Sequence, residues 1–333
     1  MVTGALVAQS LAPEEHRWLT ALVAAGAAVV PDLDFLARKA SQKLLFLKLH
    51  RGLTHSLLGV PLIAGCAAGV ALVLFGLPFV PTFAASALAA LSHLVLDAVM
   101  HSTGLQLLWP WPRRLRLPLV VGLNPLTSSA RCAERSLAVC MRCTMHSAVL
   151  SPLVLVLWAG FLGSLVPLGS YRVVSRLTLA VALGYLAASA ALRLGARLVL
   201  RVHLARTNDP VKAASVFPAS FSPFRWLGVT QTIGGFTLLD IQPLSGRVTS
   251  MRRFGPTEQG ADVNRSRETA TVIEFLDNAV FPHVSRSGKA LIWRDLAYAF
   301  SPTVALFTAR IQLDGDRVVA EEFRERWDHL PEG

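Results

Sequence analysis

The chain has 333 residues, 53% of them hydrophobic and only 16% charged, with a mean hydropathy of +0.49. Soluble globular domains carry about 25% charged residues, so the composition excludes an ordinary soluble enzyme and points to an integral membrane protein. The net charge of +11 belongs wholly to residues 1–204, which hold 17 Lys/Arg against 6 Asp/Glu, whereas residues 205–333 hold 15 of each. Cationic loops beside an apolar half suit the cytoplasmic face of a membrane. No aromatic-rich basic motif accompanies them, so no nucleic-acid partner is expected.

In chain order, five segments predict membrane spans, because about 20 apolar residues cross the hydrocarbon core. They cover 18–36, 56–78, 83–108, 148–168 and 174–199. The first is short and ends in two aspartates. Arg193 and Arg197 fall near the end of the fifth, where they would snorkel. The loop 37–51 carries Arg38, Lys39, Lys43, Lys48 and Arg51 with no acid. The loop 109–147 carries six arginines against Glu134. Both are expected on the cytoplasmic side. Five spans then predict an external N-terminus and a cytoplasmic C-terminal part. The N-terminus has no basic region followed by a small-residue cleavage site, so a signal peptide is not expected.

The character changes at residue 205. GVTQTI, GFTLLDIQ, VALFTARIQL and DRVVAEEF alternate like strands, and Asp314-Gly315 is a hairpin signal. RETATVIEFLDNAV, 267–280, has helical spacing. The expected fold is therefore an α-helical integral membrane domain over 1–204, with a polar His/Asp centre. A small soluble, mostly β (α+β) domain follows over 205–333.

Several polar residues stand in apolar surroundings, where charge is expensive and marks function. PDLDF contributes Asp32 and Asp34. HRGLTHS contributes His50, Arg51 and His55. SHLVLDAVMHS contributes His93, Asp97 and His101, at four-residue spacing along one helix face. The expected topology brings all three segments to one level, near the cytoplasmic interface. Each has a bland reading by itself: a helix cap, an interfacial histidine, an intrahelical ion pair. Together, carboxylates and imidazoles suit a divalent metal such as Zn, Mn or Fe, and their number exceeds one closed tetrahedral site. Such a metal would acidify a water, and Arg51 is placed to bind a phosphate or another anion. Gly52 would let the backbone turn between the two histidines.

PDLDF, HRGLTHS and SHLVLDAVMHSTG, in this order, resemble the membrane-bound metal-dependent hydrolases also described as LexA-binding, inner-membrane-associated hydrolases. The resemblance covers about 1–120 and extends loosely to the rest through FPASFSPFRW (217–226). It implies Asp32, Asp34, His50, His55, His93 and Asp97 as the metal centre, with a bacterial inner-membrane location. One departure stands out. Members of that family typically begin with a Thr-His pair about four residues before a glycine. Here MVTGALVAQ opens the chain, and that histidine would fall before Met1. An upstream start is expected on this basis, and N-terminal sequencing of the native protein checks it.

Cys132, Cys140, Cys143 and His146 have a spacing that a zinc knuckle could use, though free thiols are the simpler reading. Cys66 reads as a small core residue, and His283 and His329 as isolated surface residues. GxSxG, P-loop and GxGxxG motifs do not occur. The expected function is a membrane-bound hydrolase. Asp34, His55 and Arg51 would do the catalytic work, on a phosphoester or lipid-like substrate among the membrane lipids. The alternative is a non-enzymatic scaffold or stress-response partner with a structural metal, and a protein partner could bind through 205–333. An ion transporter fits less well, because the polar groups sit at one level and do not thread the later spans.

Overall fold

The computed structural model describes residues 1–11, 14–33, 52–100, 105–111, 114–119, 152–165, 170–207, 210–219, 222–298, 304–305, 308–315, 317–324 and 328–329. The N-terminal region is helical: α1 (Val2–Leu11), α2 (Arg17–Ala27), α3 (Gly59–Phe75), α4 (Phe79–Met100), α5 (Pro152–Leu165) and α6 (Tyr171–Arg206). Among the described residues two helices are long and apolar enough to cross a membrane, Phe79–Val99 and Tyr171–Arg206. The expectation of five spans is not supported. Helix α2 has 11 residues, about 16 Å at 1.5 Å per residue, and Pro31 lies in the turn that follows. Helix α3 stops after 17 residues at Gly76, which takes the left-handed conformation (φ 66°). Helix α5 has 14 residues.

Small side chains set the packing. Ala8, Ala21, Ala24, Ala28, Ala85 and Ala89 form one buried cluster between α1, α2 and α4. A Cβ on Gly4 would sit 3.0 Å from the Ala24 carbonyl oxygen and from the Cβ atoms of Ala28 and Ala89. Close approach of this kind is how helices associate when apolar burial gives them no preference over lipid. Helices α1 and α2 pack against each other, and the Met1 amino group feels the Asp32 carboxylate. The N-terminus therefore lies at the Asp32 end of the helical region, whereas the five-span count put it at the other end. Cys66 faces outward from α3 and is not a core residue.

The C-terminal domain holds two four-stranded antiparallel sheets. The first runs β1 (Val211–Pro218), β2 (Trp226–Thr232), β3 (Gly235–Gln242), β4 (Arg247–Phe254) in sequence order. Two helices follow, α7 (Ala261–Arg267) and α8 (Ala270–Asn278), the latter capped by Thr269 Oγ1, which accepts from the Val272 N–H. The second sheet has the order β5 (Pro282–Ser287), β6 (Ala290–Asp295), β8 (Thr308–Asp314), β9 (Arg317–Arg324). Between β6 and β8 comes β7 (Val304–Ala305), which pairs with β10 (Asp328–His329).

GFTLLDIQ forms β3 and is buried on both faces. Phe236 and Leu238 join Phe217, Leu227 and Val229 in a core with Phe281, Leu296 and Tyr298. Leu239 and Ile241, on the opposite face, pack with Val216 and Trp226 onto Ala196 and Leu200 of α6. Helix α8 and the second sheet share a third core around Phe275 and Trp293. The Asp314-Gly315 hairpin forms as expected, with Gly315 at φ 56°. His283 is not a surface residue. It is buried between the rings of Phe236 and Phe254, with centroids 5.7 and 5.5 Å away.

Candidate metal centre

Three segments deliver the site. Ala28 packs with Ala89 in the alanine cluster, and one helical turn further along each chain stand Asp32 and His93. Asp97 follows His93 by four residues on α4, so both share a face. His55 closes a 3-10 turn, Leu53–His55, just before α3. Ser56 fixes that turn: its Oγ donates to the Leu53 carbonyl (2.6 Å) and accepts from the Gly59 N–H (3.1 Å). Gly59 is required here, because a Cβ would lie 2.3 Å from the Leu53 carbonyl oxygen.

The resulting geometry is compact. Asp32 Oδ1 lies 3.7 Å from His55 Nε2 and 3.6 Å from His93 Nε2. Asp97 Oδ2 lies 3.5 Å from His55 Nε2 and 3.9 Å from His93 Nε2. The ligand atoms of Asp32, His55 and His93 all fall within 4.8 Å of one another. His55 is fully buried, His93 and Asp97 nearly so, whereas the Asp32 side chain is 57% exposed and marks the open side. His93 Nε2 is buried without a hydrogen-bond partner among the described residues.

These separations test the fit of a metal. Two N or O atoms held tetrahedrally by one zinc at about 2.0–2.2 Å lie about 3.3–3.6 Å apart. The 3.5 and 3.6 Å spacings fall within that range and the 3.7 and 3.9 Å spacings just beyond it, all longer than the usual N–H···O hydrogen bond. The donor set, two imidazoles and carboxylates, is that of zinc, manganese or non-haem iron. Asp32, His55 and His93 could thus hold a divalent ion, with Asp97 against both histidines.

Of the residues singled out from sequence, Asp32, His55, His93 and Asp97 come together. Asp34, His50, Arg51, His101, Cys132, Cys140, Cys143 and His146 lie outside the described residues. Sequence reasoning passed over Thr54, whose Oγ1 is 3.2 Å from His55 Nδ1. Its place inside HRGLTHS, next to the histidine, was the available signal. The strap that follows α4 was also missed. Leu57 N–H donates to the Leu107 carbonyl (2.9 Å), Leu105 pairs with Leu115, and Leu119 N–H returns to Val99 (2.8 Å). Arg114 of this strap bonds Asn278 of α8, linking the rim of the site to the C-terminal domain.

No curated protein and no solved structure matches this chain. A family model does match, the one described as YdjM inner membrane protein, over residues 1–166. That stretch contains Asp32, His55, His93 and Asp97, and through it the chain is similar to a family of inner membrane proteins.

Proposed function

We propose that this chain is a membrane-bound, metal-dependent hydrolase acting at the cytoplasmic surface of the inner membrane on an amphiphilic phosphoester. The observation that carries the reading is the convergence of two buried imidazole nitrogens with Asp32 and Asp97 at metal-ligand spacing. A structural metal site is closed by protein, whereas a catalytic one keeps an open position, and the exposure of Asp32 supports the second. When bound, a divalent metal supplies Lewis acidity toward a phosphoryl oxygen and toward water.

The chain's own groups do the rest. His55 must present the Nε2 lone pair, so its proton belongs on Nδ1, where Thr54 Oγ1 accepts it. Asp97, whose Oδ2 faces the Nε2 atoms of both histidines, would share the ion with them as a further ligand, and Asp32 guards the open side. The sequence assigns Asp34, His50 and Arg51 to the same site, with Asp34 as a further ligand or base and Arg51 to bind the anionic group. The excess of Lys and Arg in residues 37–51 and 109–147 supports a site on the cytoplasmic side. The C-terminal domain follows on that side in a multi-pass arrangement, its boundary with the membrane domain falling near residue 204.

The test is phosphate release from isoprenoid phosphates and phospholipids by detergent-purified protein loaded with zinc or manganese. Turnover that His55→Ala and Asp97→Ala abolish, with both variants folded, supports the reading. Stoichiometric metal without turnover on any phosphoester makes the site a structural clip and favours a scaffold.

A further inference from the structure

We propose that the last turns of α6 and the β3–β4 turn form one docking surface for anionic phospholipid headgroups, which holds the first sheet against the leaflet. The inference rests on α6 crossing the membrane and is independent of hydrolysis.

The level of the membrane edge can be read from α6. Between Arg176 and Arg193 lie 16 residues without a charge, about 24 Å of helix. That is a little short of the hydrocarbon thickness. Arg193 is buried against the protein and does not snorkel as the sequence led one to expect, so the exposed Arg197 is the first arginine past the span that can reach headgroups. Past this edge the helix carries Arg193, Arg197 and Arg201 at four-residue spacing, then Arg206, and α6 contains no acidic residue. Arg197 and Arg201 are exposed, interleaved with exposed Leu194, Leu198 and Val202. Cations beside apolar side chains on one helix suit the boundary between headgroups and acyl chains.

The sheet reaches the same level. A Cβ on Gly195, two residues past Arg193, would lie 3.3 Å from the Pro243 Cβ at the start of the β3–β4 turn. The next residue, Leu244, is 75% exposed, and Arg247 just after the turn is exposed too. Trp226, Leu239 and Ile241 pack on Ala196 and Leu200, so the turn is held where α6 leaves the bilayer. A bare leucine at a turn tip, fixed at the hydrocarbon edge and flanked by arginines, fits an anionic lipid surface. A soluble acidic partner would give Leu244 no reason to sit there.

The test uses the full chain with its four cysteines replaced, in nanodiscs of phosphatidylcholine alone or of an equal mixture with phosphatidylglycerol. A nitroxide is placed at Leu244→Cys or, as control, at Ile233→Cys. Ile233 is also exposed (68%) but lies in the turn at the other end of β3, about 25 Å away along the strand. The expected result is protection of the 244 label, not the 233 label, from a water-soluble relaxant, and stronger protection with phosphatidylglycerol. Arg197→Gln, Arg201→Gln and Arg247→Gln should each weaken the anionic-lipid dependence about fivefold. A 244 label as accessible as the 233 label overturns the proposal. So does protection of 244 that is the same in both lipids and unmoved by the arginine variants.

Discussion

Replacing His93 by alanine tests the metal centre most directly. Its Nε2 stands 3.6 Å from Asp32 and 3.9 Å from Asp97, buried and without a hydrogen-bond partner among the described residues. Among the described residues, removing it leaves Asp32, His55 and Asp97. Loss of an outer-shell partner costs about 10–100-fold in metal affinity, so loss of a ligand is expected to cost at least about 100-fold, roughly 2.7 kcal/mol. The difference can be read as thermal stabilisation. At free zinc about 100 times the dissociation constant, the wild-type chain gains about 2.7 kcal/mol. At that same concentration a variant weakened about 100-fold gains only about 0.4 kcal/mol. The assay is thermal unfolding in detergent with and without zinc, alongside metal content by mass spectrometry. Ser92→Ala is the control. Ser92 neighbours His93 in sequence, but its hydroxyl donates to Ala89 within the helix, so its metal response should match wild type. Equal zinc stabilisation in His93→Ala and wild type would refute the reasoning, as would a wild-type chain that zinc does not stabilise.

Three further outcomes are expected. Gly59→Ala must push its Cβ off the Leu53 carbonyl oxygen and so displace the turn that carries His55. Zinc affinity should fall about tenfold or more by titration, whereas Gly69→Ala, which meets nothing within 4 Å, should leave it unchanged. Burial first, then the charge of Arg294, pushes the His283 imidazole down to about 4 from its ordinary 6.5. The unfolded chain therefore takes up that proton first. Stability should begin to fall as pH drops below 6.5 and lose about 3 kcal/mol in all by about pH 4, a slope that His283→Phe should remove from the thermal midpoint of the full chain. Asp295 accepts from the backbone N–H groups of Val280 (2.8 Å), Phe281 (2.9 Å) and Ala297 (3.0 Å). Asp295→Ala orphans all three and should destabilise the full chain by at least about 3 kcal/mol in thermal unfolding; a loss below about 1 kcal/mol would show that water or a shifted backbone replaces the carboxylate.

Local pattern was enough for much of this protein. The alternation of GFTLLDIQ and DRVVAEEF, the Asp-Gly turn and the helical spacing of 267–280 each express a preference within a few residues, and each element forms, the helix over the shorter stretch Ala270–Asn278. The grouping of Asp32, His55, His93 and Asp97 was also legible, because charged residues in apolar sequence have few uses. Hydropathy misled where it counted apolar residues without seeing where a helix stops. The Pro31 turn and the left-handed Gly76 shorten helices that composition alone would extend. The burial of His283 was hidden as well, since its ring partners Phe236 and Phe254 come from strands far away in sequence. The sequence by itself pointed to Asp32, His55, His93 and Asp97 as a group and to strands at β2, β3, β8 and β9, but not to β1, β4, β5 or β6. Only the tertiary structure decided that Ala28 and Ala89 pack closely enough to bring Asp32 to His93, and that Gly59 lets His55 complete the group. Such contacts depend on the shapes of partners distant along the chain, which no local pattern encodes.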